Sequence, residues 1–345
     1  MKILFLTPWY PSERDAMAGL FVQKHADAVR AQGCDVRVIH SQNYRDTWHQ
    51  WHALQREGWM PDVVQLNVIQ KQGLLALWLK KRYRIPYVII EHWSGYLPEN
   101  GQFMQMPALK RKLYLRMAKE AEMVLTVSQP LQKAMQQCGI DANKWGTVDN
   151  VVDDFFSEER EVSEGNRQRT LLHVSCFDEQ AKNIKGLLRA FRVVCLRRSD
   201  VRLVLIGAGV DFHAITDLAD ELEFPEGAIL FTGELTPREV AGWLHRADAF
   251  VLSSRYETYG VVLAEAAAAG VPILSSPVGI AEEVAELIVP QEIAQNNPRR
   301  FAEFMETILG RTEQRPKNKD FSRFTAEAIG EKLKGIYEQV CTCKI

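Results

Sequence analysis

Short apolar runs alternate with helix-like stretches along almost the whole chain, and this alternation restricts the fold more than any other feature. The runs 2–7 ("KILFLT"), 35–40, 62–67, 86–92, 123–128 and 144–150 read as strands, with helical patterns such as 19–32, 71–84, 107–121 and 129–138 between them. As a set they lack the clean apolar/polar alternation of a sheet with one wet face, so both faces must be covered by helices and the strands run parallel. The pattern restarts after a polar, charge-rich joint at 158–169 ("EEREVSEGNRQR"), with runs at 170–176, 201–207, 228–233, 249–254 and 271–276. The expected architecture is α/β, with two Rossmann-like doubly wound domains, 1–157 and 158–320, facing across a cleft. An amphipathic helix within 321–345 must pack somewhere. A chain of 345 residues suits two domains. Open parallel sheets collect ligands at the C-terminal ends of their strands, so the chemistry is sought just after strands in both halves.

Composition narrows the function. Apolar residues make up 46% and charged residues 25%, as in a globular protein, and a net charge of −2 gives no drive toward nucleic acid. The charge is uneven. Residues 1–150 hold 19 Lys/Arg against 13 Asp/Glu, and the remainder 23 against 31. The positive excess clusters at 80–84 ("KKRYR") and 109–119 ("LKRKLYLRMAK"). The second cluster reads either as a surface-lying helix attracted to anionic lipid or acceptor, or as a solvated helix face. Six scattered cysteines show no paired zinc-type spacing and read as free thiols in a reducing compartment. The first apolar run is too short for a leader and no stretch approaches 18 apolar residues, so a cytoplasmic protein is expected, with peripheral contact at the inner face of a membrane as an added expectation.

The most informative stretch is "RYETYGVVLAEAAAAGVPILSS" (255–276). A loop follows the strand 249–254, and a helix begins near Gly260, where free N–H groups and the dipole favour an anion. Glu257 precedes that terminus and Glu265 lies about a turn and a half inside a helix that reads as buried on every side. A carboxylate there needs a protein cation or a ligand as partner. Amides for phosphates, flanked by carboxylates for hydroxyl pairs, suit a nucleoside diphosphate sugar better than a bare phosphate.

"ETYGVVLAE" resembles the E-x7-E motif of retaining GT-B glycosyltransferases of family 4, and "AAAAGVPILSS" and "SPVGIAEEV" continue the likeness. The resemblance extends over nearly the whole chain. It implies that Glu257 faces the donor sugar and Glu265 the ribose hydroxyls, with Tyr259 and Gly260 also at the donor. Through "AGLFVQKHADAVRAQGCDVRVI" it implies that Gly19 lets the backbone approach the donor diphosphate. Through "IPYVIIEHWSGYL" it puts His92 against the sugar's primary hydroxyl. "HVSCFDEQAKNIKGLLRAF" keeps Lys182 as a pyrophosphate cation but has Cys176 near the expected arginine, with Lys185 as a substitute. The glycines of "VLIGAGVDF" (Gly207 and Gly209) lack a dinucleotide fingerprint's third glycine and acid. Gly207 is read as backbone approach near the nucleotide, and the loop ending at Leu235 as main chain beside the base. The last helix resembles one that crosses back to the N-terminal domain.

The reaction so implied moves a sugar from a nucleotide-sugar donor to an acceptor hydroxyl with retention, without cofactor or metal, in glycan, lipopolysaccharide or capsule assembly. Lys182 and the helix at Gly260 would stabilise the leaving diphosphate, and a donor phosphate oxygen would take the acceptor proton. A glycan or glycolipid acceptor is expected at the aromatic-rich loops 42–60 and 93–106. Two alternatives stay open: a non-catalytic sugar-nucleotide-binding member, and a nucleotide-sugar epimerase or NAD-dependent dehydrogenase.

Overall fold

The computed structural model describes residues 1–13, 17–158, 168–311 and 321–342. Most of the joint 158–169 lies outside them, as does Cys343. The chain divides into two compact units, one of Met1–Val151 with Ser322–Ile345 and the other of Val152–Phe321.

In the first unit, β1 (Lys2–Thr7), β2 (Asp35–His40), β3 (Val63–Asn67), β4 (Tyr87–Glu91), β5 (Met123–Thr126) and β6 (Trp145–Thr147) form one sheet in the order β2-β1-β3-β4-β5-β6. Every pairing is parallel. The central strands β3 and β4 are buried at every residue, the consequence of helices on both faces. The helix Leu20–Ala31 shows how they are covered. It buries Val22, His25, Ala26 and Val29, a stripe at three- and four-residue spacing. The amphipathic segment at the end of the chain is the helix Ala326–Thr342, which packs on Leu20–Ala31. Its Leu333 and Tyr337 are fully buried. The Tyr337 hydroxyl donates to Gln65 Oε1 of β3, and Lys334 Nζ donates to Gln32 O at 3.1 Å.

In the second unit, β7 (Arg169–Val174), β8 (Val201–Ile206), β9 (Ile229–Gly233), β10 (Ala249–Leu252), β11 (Ile273–Ser275) and β12 (Leu287–Ile288) form a parallel sheet in the order β12-β11-β10-β7-β8-β9. The two-residue β12 has too little apolar sequence to stand out beforehand. The helices Ile184–Cys195 and Pro298–Gly310 pack on one another, and Phe191 and Phe301 are fully buried with Leu171, Leu203, Leu205 and Val251. Truncating a ring such as Phe191 would cost about 3–5 kcal/mol.

Two expectations change. Residues 152–157 belong to the second unit, because Phe156 is fully buried and its carbonyl bonds to His245 of the helix Pro237–Arg246 at 3.0 Å. The stretch 42–60 is no loop but the helix Tyr44–Arg56, capped by Asn43, whose side chain accepts from Asp46 N at 2.9 Å. Its Trp51 is fully buried, Trp48 packs edge-on against Trp78, and Trp59 beyond it donates to Asp35 at 2.7 Å. These aromatics anchor the helix. The stretch 93–106 likewise contains a single 3-10 turn, Ser94–Tyr96, and a short helix, Gln102–Gln105. Among the described residues, no helix is long and apolar enough to cross a membrane.

One buried hydroxyl contributes to docking of the last helix beside its apolar contacts, so Tyr337→Phe leaves Gln65 Oε1 without that donor and should cost about 1–3 kcal/mol. Amide exchange in 326–342 should accelerate more than in the second unit. Unchanged exchange there would contradict this account of the docking.

Candidate active site

Strand order decides where the second unit can bind a ligand. Chain order runs outward from β7 through β8 to β9, and then from β10 through β11 to β12 on the other side, so the direction reverses between β7 and β10. Loops leaving the C-terminal ends of two such neighbours diverge and open a crevice. Lys182 lies on one of these loops, at the end of the short helix Glu179–Lys182, and Glu257 lies on the other, after β10.

The two side chains meet. Lys182 Nζ is 2.5 Å from Glu257 Oε1, with each side chain 14% exposed, and Ser254 Oγ donates to the same oxygen at 2.8 Å. Burial works against the Lys182 ammonium, but the Glu257 carboxylate outweighs it and holds the lysine pKa above its ordinary value. Beneath them His173 is fully buried, with Nδ1 2.9 Å from Val251 O and Nε2 2.8 Å from Ser175 Oγ. Burial pushes its pKa down to about 4, with Lys182 adding to the shift. The backbone of both loops is fixed as well. Ser253 Oγ donates to Lys182 O and Asn183 O, and Arg255 N donates to Ala181 O at 2.7 Å.

Arg255 also binds Glu179 and, at 3.0 Å, Asn183 Oδ1. This guanidinium, unremarked in the sequence, is committed to holding the 179–183 turn. Cys176 is exposed after β7, near Lys182. Lys185, the expected substitute cation, is half-buried, and its N–H is accepted by Glu179 Oε2 at 2.9 Å.

The helix within 255–276 is Val261–Ala268, entered through Gly260 at φ 78°. The positive φ favours glycine at this turn, and a Cβ there would also press on the Leu263 side chain, 2.9 Å from Cδ1. The helix is not buried on every side. Leu263, Ala264, Ala266 and Ala267 face the core, whereas Val261, Val262, Glu265 and Ala268 are half-buried. Glu265 therefore escapes the full cost of a dry carboxylate. Tyr259 is 1% exposed, and Tyr259 O accepts from Ile280 N at 3.0 Å. Gly207 has a packing reason of its own, since a Cβ there would fall 1.9 Å from Ser175 O. Leu235 is half-buried after β9.

In the first unit, Gly19 starts the helix Leu20–Ala31 at φ 68°, and a Cβ on it would meet the Trp9 carbonyl carbon at 2.3 Å. Its nearest neighbour is thus protein backbone. His92 follows β4, 8% exposed, with its ring 4.3 Å from that of Phe21 and 5.9 Å from that of His25. The Gly19 helix and His92 therefore come together. Burial, helped by His25, holds the His92 pKa well below the usual imidazole range, and Nε2 has no hydrogen-bond partner among the described residues. The residue missed in the sequence is its neighbour Glu91. Fully buried, Glu91 accepts from His92 N and Trp93 N at 2.9 Å and from Ile69 N at 3.0 Å. An acid closing the apolar run "YVIIE" was the available signal.

Residues 155–325 match the family described as Glycosyl transferases group 1, and residues 5–154 match Glycosyltransferase Family 4. The chain belongs to glycosyltransferase family 4. Among curated proteins, this family-4 chain is similar to alpha-monoglucosyldiacylglycerol synthase of Streptococcus pneumoniae, 25% identical over 230 residues. The match covers 61% of this chain and 52% of that one, so the chain spans about half the length of the curated relative it matches. Among solved structures, sucrose-phosphate synthase from Thermosynechococcus elongatus superposes with a TM-score of 0.77 at 17% identity, covering 99% of this chain and 100% of the other. HepE of Anabaena, solved with UDP and glucose, gives 0.68 at 17% identity over 99% of both chains. These likenesses establish the two-domain α/β fold of GT-B enzymes.

The buried ionisable groups fix the pH response. His25 and His173 are both held at about 4, below the ordinary 6.5, so their stabilising contribution is present above about 6.5 and is lost as pH falls through 4. Glu91, pushed up from 4.5 to about 7 by burial, contributes in the opposite sense, fully below 4.5 and lost as pH rises through 7. Each shift corresponds to about 3 kcal/mol. Unfolding free energy, followed in urea, should therefore decline from pH 6.5 toward 4, and more steeply in Glu91→Gln, where the opposing contribution is gone. A flat profile over that interval would contradict these assignments.

Proposed function

We propose that this protein is a retaining glycosyltransferase that moves a sugar from a nucleoside diphosphate donor to an acceptor hydroxyl without a metal. The observation that carries the reading is the contact between Lys182 and Glu257 across the switch point of the second sheet, beside the N-terminus of the helix Val261–Ala268. A diphosphate supplies the anion that Lys182 and the first amides of that helix can hold, and charge developing on it as the sugar departs is met there. Glu257, released from part of its lysine contact, accepts from the sugar hydroxyls and orients them. Glu265 on the half-buried helix face accepts from the ribose, Tyr259 and Gly260 shape the turn, and the loops at Gly207 and Leu235 line the nucleotide. In the first unit, His92 Nε2 is the natural hydrogen-bond partner for a sugar hydroxyl, and Gly19 shapes the turn that enters the helix beside it.

Family membership supports sugar transfer, and the structures of HepE with UDP and glucose and with UDP-glucose support a uridine nucleotide donor. The named product of the pneumococcal relative supports a glycolipid acceptor. A surface for the lipid is supported by the helix Ala108–Glu120, where Lys110, Lys112, Arg116 and Lys119 are exposed beside Leu109 at 81% and Met104 at 57% exposure. On this reading the enzyme works in the cytoplasm at the inner membrane face, in glycan or lipid-linked polysaccharide assembly.

A thermal-shift panel of UDP, GDP, ADP, CMP, NAD and common nucleotide sugars tests the proposal, with EDTA present to test metal independence. Selective stabilisation by one nucleoside diphosphate, reduced in Glu265→Ala, is expected. Stabilisation by NAD alone would overturn it. With the donor so found, Glu265→Ala should raise donor KM about 10- to 100-fold, the worth of one or two hydrogen bonds to a charged group. Glu257→Ala should lower kcat at least 100-fold with a smaller change in KM. Equal, small effects would refute this division of roles.

A further inference from the structure

Glu91 closes the central strand β4 and is the one carboxylate of the first sheet that is fully buried among the described residues. It forms no ion pair among the described residues. Three main-chain amides take that place, those of His92 and Trp93 at Oε1 and that of Ile69 at Oε2. The titratable side chains facing it are Tyr96 and Tyr114. Behind these lie Cys138, whose thiol donates to Tyr96 O, and Lys110, whose ammonium sits 5.6 Å from the Tyr114 ring. His92 and, beyond it, His25 complete the charged or titratable surroundings. The end of β3 contributes none, but it contributes strain. Val68 is buried at φ 69°, a conformation that a β-branched residue avoids and that the surrounding structure must enforce. Its N–H is held by Ile90 O at 2.9 Å, and the next amide, Ile69, by Glu91. One carboxylate thus joins the loops after β3 and β4 at the histidine.

We infer that Glu91 is a positioning residue for the proposed transfer reaction, its carboxylate fixing the main chain that carries His92 and holding the Val68 turn left-handed. The inference rests on the proposed contact between His92 and a sugar hydroxyl. The ionised carboxylate suits this task, because both oxygens accept with no proton to place. Protonation puts a hydrogen on one of two oxygens already facing three N–H donors. Activity therefore falls as pH drops through the Glu91 midpoint, which burial has raised toward neutrality. Glutamine keeps the volume but turns an NH2 group against an amide donor.

The test uses the full-length protein. Amide resonances of Ile69, His92 and Trp93 are followed by NMR from pH 5 to 9, and kcat and KM are measured for UDP-glucose by UDP release. In the wild type the three amides should shift together with one midpoint, and kcat should show an acid limb at that midpoint. In Glu91→Gln the exchange protection of these amides should fall at least 10-fold. Its kcat should fall at least 10-fold with KM within 3-fold, and the acid limb should vanish. Adding Val68→Gly, which removes the backbone strain, should recover protection at Ile69 without recovering kcat. Independent titration of the three amides, or a Glu91→Gln enzyme with wild-type kcat and acid limb, overturns the inference. If the wild type does not release UDP, the donor assignment fails, and the NMR titration still decides the role of Glu91. If Glu91→Gln does not fold, the wild-type titration decides it alone.

Discussion

A parallel strand can reach its neighbour only by crossing over the sheet, so all strands of a parallel sheet end on the same edge. The candidate site of each unit follows from that constraint. In the second unit it delivers the loops after β7 and β10 to one point, where chain order reverses and nothing need fill the gap between them. Lys182 and Glu257, 75 residues apart, meet there. In the first unit it delivers the ends of β3 and β4 side by side, and Glu91 ties them together. The helices that the crossovers require supply the burial that holds both edges in place.

The two carboxylates illustrate two ways to keep charge away from water. Glu257 has a cation and a hydroxyl at 2.5 and 2.8 Å and sits in a position a ligand can reach. On the proposed function, a diphosphate competes for that cation and the pair exchanges partners. Glu91 is held by three main-chain amides, with the Tyr96 hydroxyl beside it, and is sealed from solvent. Its ionisation is costly, and the benefit is geometric. An exchangeable pair suits the place where a substrate binds, and a sealed one suits the scaffold behind it.

Much of this was legible in the sequence. The eleven runs mark eleven of the twelve strands, most plainly β1, β3 and β4, which are apolar-rich because they are buried almost throughout. The loop-and-helix pattern at 255–268 stands out because Gly260 and the two glutamates interrupt an otherwise apolar stretch. Other features depend on tertiary placement. Nothing in the spacing of Lys182 and Glu257 reveals their contact. The half-open face of Glu265 depends on what packs beside an alanine-rich helix. The helix Tyr44–Arg56 was obscured by its tryptophans, although the cap at Asn43 was a usable sign. Gly19 and Gly207 look like ligand loops in sequence, yet each is required by a neighbouring stretch of main chain.

The central claim is that a nucleoside diphosphate binds where Lys182 meets Glu257. Hydrogen–deuterium exchange of the full-length protein with and without saturating UDP tests it most directly. The account predicts protection concentrated in 175–186 and 255–265, lost in the variant Lys182→Met. Protection elsewhere with these two segments unchanged would contradict it.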